Sequence, residues 1–78
     1  MFNAKILRNL MNEQPFKPFR IHTSDGKSYD VTNHDNAMVT QNFIEVGIEL
    51  NDDSIPGMVA RCAILHITNV EDLKKTTA

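Results

Sequence analysis

The sequence predicts an α+β domain, mainly β, in which an N-terminal helix precedes about five short antiparallel strands forming a small bent sheet or barrel. Three observations predict it. Apolar residues recur at helical spacing before Pro15 and at strand spacing from Phe19 onward. A Ser24-Asp25-Gly26 turn separates two alternating runs. Ile44, Val46, Ile48 and Leu50 then alternate with Glu45, Gly47 and Glu49, the pattern of a strand with one solvated face.

The helix comes first. Phe2, Ile6, Leu7, Leu10 and Met11 fall on one face, with Lys5, Arg8, Asn9 and Asn12 elsewhere on the wheel. It should run from about Asn3 to Asn12 or Glu13, and Pro15 ends it, because the residue before a proline is pushed out of the α region. So short a helix does not hold in water alone. Its apolar stripe must dock, as a lid over one end of the sheet or on a partner.

The first hairpin can be read to the residue. A two-residue Asp-Gly turn would set Ile21 opposite Asp30 and place a carboxylate on the apolar face. A three-residue loop closed by Gly26 in the left-handed conformation pairs Thr23 with Lys27 instead. Phe19 then faces Val31 and Ile21 faces Tyr29 on the inner side, while Arg20 faces Asp30 and His22 faces Ser28 outside. A one-residue slip turns every side chain over, so the second register is the one predicted.

Thr32 to Asn36 reads as a polar turn, with His34-Asp35 as local turn chemistry. A second hairpin around Gln41-Asn42 pairs Val39 with Ile44 and Ala37 with Val46. Asn51 to Gly57 reads as the main loop, and one long strand follows from about Val59 to Thr68. Its centre, Ala63-Ile64-Leu65-His66-Ile67, is apolar on both faces and calls for cover on both. The layout is therefore one domain: helix 1–13, proline joint 14–18, antiparallel sheet 19–68, terminal turn and tail 69–78.

Size and charge narrow the partners. A chain of 78 residues buries only about 60% of its unfolded surface, and the single cysteine, Cys62, rules out an intrachain disulfide. The remaining supports are a metal or oligomerisation, and the ligand inventory favours the latter, so a homo-oligomer or a protein partner is expected. The lone cysteine and the lack of a leader pattern point to the cytoplasm. A net charge of −2 lacks the field of a nonspecific nucleic-acid binder, and no apolar run is long enough to span a membrane.

Pro15-Phe16-Lys17-Pro18-Phe19-Arg20-Ile21-His22, Ser24-Asp25-Gly26-Lys27-Ser28-Tyr29-Asp30-Val31 and Leu65-His66-Ile67 resemble a family of small uncharacterised bacterial proteins with a PF-x-PFR, SDGR-x-[YF]-x-V and closing LHIT pattern. The resemblance covers roughly residues 15–73 and implies a bacterial cytoplasmic origin. Asn33-His34-Asp35-Asn36 departs from that family's proline-containing turn. The order of elements also resembles the SH3-like and Sm-like plans, although the glycine and asparagine signatures of the Sm uridine pocket are not recognisable.

No catalytic or metal motif emerges, and no cofactor is expected. His22, His34, His66 and Cys62 lack ligand spacing; in a regular strand Cys62 and His66 would share a face about 13 Å apart. Cys62 reads as a small buried thiol. Asp52 and Asp53, with Glu45 and Glu49, read as an acidic rim guarding strands. Pro15-x-x-Pro18-x-Arg20 matches a polyproline ligand pattern but reads as a docked joint with its phenylalanines in the core.

Arg20, His22, Ser28 and Asp30 form the candidate binding cluster. Phe2, Ile6, Leu10, Ile64, Leu65 and Ile67 are the candidate interface. The function expected is a noncatalytic protein-interaction or self-assembling module, contacting its partner through an edge strand or through Ala63–Ile67. The alternative is an Sm-like RNA-binding barrel with a basic patch at Lys17, Arg20 and Lys27 and an exposed Phe43 for stacking.

Overall fold

The computed structural model describes residues 2–50 and 56–73. Helix α1 (Ala4–Met11) is capped by Asn3, whose side-chain oxygen accepts from the Ile6 N–H at 2.9 Å. Leu7 and Met11 are buried, Phe2, Ala4 and Leu10 pack at the core margin, and Ile6 stays largely exposed. The helix therefore docks on its own chain. The Gln14–Pro15 peptide is cis. Beyond it Phe16 packs on the core, its ring 6.0 Å from that of the buried Phe19. The proline joint is thus held down by its phenylalanines.

Strands β1 (Phe19–Thr23) and β2 (Ser28–Val31) pair in the predicted register, Phe19 with Val31, Arg20 with Asp30, Ile21 with Tyr29 and His22 with Ser28. The Thr23 N–H donates to Lys27 O at 3.0 Å and the Gly26 N–H to Thr23 O at 3.1 Å, with Gly26 at φ +84°. The Asp25 carboxylate accepts from the Thr23 hydroxyl and the Lys27 N–H, and these bonds hold its pKa below the usual carboxylate value. A Cβ at position 26 would meet nothing within 4 Å, so the cost of substitution there is conformational. Gly26→Val should lose about 1–2 kcal/mol and Gly26→Asn less, because asparagine tolerates the left-handed region. Equal urea midpoints for the two variants would contradict this.

Strand β3 (Ala37–Val39) pairs with β4 (Phe43–Leu50) as predicted, Val39 opposite Ile44 and Ala37 opposite Val46. Between β2 and β3 sits a residue whose role the sequence concealed. Asn36 is 6% exposed. Its side-chain oxygen accepts from the Thr32 and Asn33 N–H groups, both at 3.1 Å, and its NH2 donates to Asp30 O and Gly47 O, both at 3.3 Å. The Gly47 N–H in turn donates to Asn36 O at 2.7 Å. One amide thus fills all four of its hydrogen-bonding positions and ties β2 and the turn to β4.

The third stretch departs from expectation. The single long strand is two strands, β5 (Pro56–Ala63) and β6 (Ile67–Asp72), joined by a 3-10 turn at Ile64–His66. Apolar letters on both faces are explained by that turn. In 3-10 geometry residues three apart eclipse, so Ile64 and Ile67 both enter the core while Leu65 is thrown outward, 75% exposed. Residues 69–72 are strand rather than a closing turn, with Val70 opposite Ile21. Of the expected main loop, residues 51–55 lie outside the described residues, and Pro56 and Gly57 belong to β5. The tail from residue 74 lies outside them too.

The described residues therefore hold six strands in two antiparallel sheets, ordered β2-β1-β6 and β3-β4-β5. The core draws Leu7 and Met11 from α1, Phe19, Ile21, Val31 and Ile67 from the first sheet, Ile44, Val46 and Cys62 from the second, and Ile64 from the turn between them. The sheets do not close into a barrel among these residues.

Candidate functional site

The polar cluster assembles as the register predicted, and β6 adds to it. Arg20 grips Asp30 through Nε at 2.7 Å and Nη2 at 3.2 Å. The hydrogen bonds and charge of Asp30 push the guanidinium pKa up. His22 Nε2 lies 2.9 Å from Glu71 Oε1, and Glu71 sits opposite Arg20 on the neighbouring strand. Two carboxylates thus accompany one guanidinium, whose fork is already filled. The face is largely self-satisfied, and solvent screening leaves pairs this exposed little weight in stability. Glu71 could not be foreseen, because residues 69–78 were expected beyond the sheet.

Lys17, Arg20 and Lys27 do not form one patch. Lys17 precedes β1 and Lys27 pairs with its last residue, Thr23. The two lysines therefore sit at opposite ends of β1, with Arg20, paired to Asp30, between them. Phe43 is half-buried on the outer face of the second sheet, and the Arg61 guanidinium lies 5.1 Å from its ring centroid. Arg61 also reaches Glu45 at 3.3 Å. Glu45 is thereby an ion-pair partner, the Glu49 side chain lies outside the description, and Asp52 and Asp53 lie outside the described residues.

The hairpin tip, Phe43, the end of β5 and the 3-10 turn enclose a cleft of about 420 Å³ lined by Asp25, Tyr29, Arg61, Cys62 and His66 among others. Because the strand breaks after Ala63, Cys62 and His66 share this cleft rather than one strand face. Burial pushes the Cys62 thiol up, and the Asp25 charge adds to the effect, the reverse of what a thiolate nucleophile requires. Among the described residues no three His, Cys, Asp or Glu side chains converge as a metal site. His34 and Asp35 meet in their own exposed turn at 3.1 Å.

Of the candidate interface residues, Ile64 and Ile67 are buried in the core of the chain itself. Phe2 and Leu10 pack at the core margin, leaving Ile6 and Leu65 exposed. Further apolar exposure lies on the second sheet. Met58 (54%) and Val59 (57%) are exposed on β5, and Met38 (61%) on the same sheet. Among the described residues the edge strands are β2 and β6 in one sheet and β3 and β5 in the other; β5 pairs with β4 alone and β6 with β1 alone, and these two are the longer edges. The β6 edge carries Glu71 and Asp72, whereas β5 carries a single charge, Arg61, in eight residues. Charges guard an edge strand against unwanted pairing, and β5 is nearly unguarded. The sequence signal was present in Met58-Val59-Ala60, but a strand's edge position is invisible before its neighbours are known.

Fold and surface together define a small, mainly β domain with an N-terminal helix docked on two open three-stranded sheets. No family model, curated protein or solved structure matches the chain. Among the described residues no helix is long and apolar enough to cross a membrane.

Proposed function

We propose that this chain is a noncatalytic protein-interaction module that accepts an extended strand along the open edge of β5. The observation that carries this reading is the edge itself: among the described residues no strand pairs with the outer side of β5, where the alternate residues Gly57, Val59, Arg61 and Ala63 leave their backbone groups unpaired, and its eight residues hold one charged side chain, with Met58 and Val59 exposed. Main-chain hydrogen bonds would supply the affinity and the flanking apolar side chains the selectivity, as in strand addition generally. Methionine suits such a surface because its flexible thioether adapts to what it meets. A reducing compartment such as the cytoplasm suits the one buried cysteine.

The test is site-specific photo-cross-linking in cells. A benzophenone amino acid at position 59 should yield a discrete adduct, and the same group at Lys27, on the hairpin tip, should not. Equal or absent cross-linking at both positions would overturn the proposal.

A further inference from the structure

We infer that the strand received by the β5 edge is β5 of a second copy of this chain, antiparallel about a twofold axis at Ala60. This occupant presupposes the strand-accepting edge proposed above. It follows from the direction of the backbone groups along the two longer edges, β5 and β6.

The Gly47 N–H donates to Asn36 O, and the Ile64 N–H donates to Asn42 O at 2.9 Å. With Ile44 opposite Cys62 and Val46 opposite Ala60, the even-numbered residues of β5 turn their backbone groups to β4. Gly57, Val59, Arg61 and Ala63 turn theirs to the open edge. These residues carry their side chains on the outer face, since Cys62 of the other parity is in the core. On β6 the phase is reversed. The Leu73 N–H donates to Pro18 O at 3.0 Å, and Arg20 and His22 lie opposite Glu71 and Asn69. Val70 and Asp72 therefore direct their backbone groups to the open edge, yet Val70 faces the core beside Ile21.

Residues directly opposite in an antiparallel ladder share a face. A regular β5–β6 ladder would run the core face of one strand into the outer face of the other. That mismatch leaves the barrel open within one chain and disfavours β6 of another copy as the occupant. Two β6 edges match in parity but gather four carboxylates, Glu71 and Asp72 of each copy, into one short ladder. Two β5 edges match in parity and carry one cation each.

A twofold axis at any residue of β5 satisfies the backbone phase, and three of them oppose at least three of the four edge-directed residues. An axis at Arg61 sets like charges directly opposite, which destabilises. An axis at Val59 opposes only three of the four edge-directed residues. An axis at Ala60 opposes all four: Val59 with the partner's Arg61, Gly57 with the partner's Ala63, and the converse. It also places Ala60 against the partner's Ala60 at a non-hydrogen-bonded position, where strands come closest and a small side chain fits. The result is a continuous sheet ordered β3-β4-β5-β5-β4-β3 across the axis. It answers the stability problem of a 78-residue chain without a disulfide.

Charge substitution at Val59 tests both occupant and register, and its side chain is exposed, so the fold should survive. Light scattering over a concentration series should show a dimer of the 8.8 kDa chain, with the Gly57, Val59, Arg61 and Ala63 amides losing protection from hydrogen exchange on dilution. Val59→Lys, placed against the partner's Arg61, should raise the dissociation constant at least tenfold. Val59→Glu should keep or tighten the dimer. A monomer at every concentration that still gives a heterologous cross-link at position 59 overturns the second copy and leaves the strand-accepting reading standing. A monomer with no cross-link overturns both. A dimer unaffected by Val59→Lys, or one that Val59→Glu dissociates, overturns this interface and register.

Discussion

Asn36→Ala is expected to lower stability by about 2–4 kcal/mol, a large share of the roughly 4–12 kcal/mol available to a domain of this size. The substitution strands the Thr32 and Asn33 N–H groups and the Asp30 and Gly47 carbonyls together. Each buried group left without a partner costs about 1–3 kcal/mol, and solvent reaching the part-buried ones moderates the sum. Asn36→Asp is the sharper variant. It keeps the shape but replaces the NH2 donor with a second acceptor, aimed at two carbonyl oxygens and carrying charge into a site 6% exposed. Its loss at neutral pH should equal or exceed that of the alanine variant. Urea unfolding followed by far-UV circular dichroism checks both, and an Asn36→Asp protein as stable as the parent would show that the amide does not join β2 to β4.

Leu7→Ala should cost about 2–5 kcal/mol, the range for deleting a fully buried leucine side chain and leaving part of the cavity unfilled. Leu7 is fully buried on α1, whereas Ile6, one residue earlier, is 40% exposed. Ile6→Ala should therefore cost well under half as much. The contrast separates docking from helix propensity, since alanine is the best helix former and would by itself strengthen the helix. If both substitutions shift the midpoint equally, α1 is not packed as described. A Leu7→Ala protein that loses helical signal before strand signal would show the helix detaching as a separate unit.

The first two hairpins were legible because their information is local. The parity of Phe19, Ile21, Tyr29 and Val31 admits only one turn length, and Gly26 supplies the positive φ that turn needs. The polar cluster followed from the same parity. Other features resisted for a common reason. Asn36 is the last of five polar letters in a row, and only the arrival of Gly47 beside it makes it a buried amide. Ile64 to Ile67 carries no glycine or proline to mark a break, so a chain crossing between sheets looked like one strand buried on both sides. That Lys17 and Lys27 lie at opposite ends of β1 follows from the strand's bounds, which the letters of the hairpin alone do not mark.

What the sequence by itself determined is the helix, the two hairpins with their registers and the mainly β class, because side-chain period and turn chemistry are set by neighbours along the chain. Only the tertiary structure decided that the closing strand bends through a 3-10 turn, that Glu71 joins Arg20 and His22, and that β5 ends as an open, almost uncharged edge. Those outcomes depend on which strands meet and on the direction in which backbone groups point after they meet. That phase is a property of the assembled sheets, and no window of residues carries it.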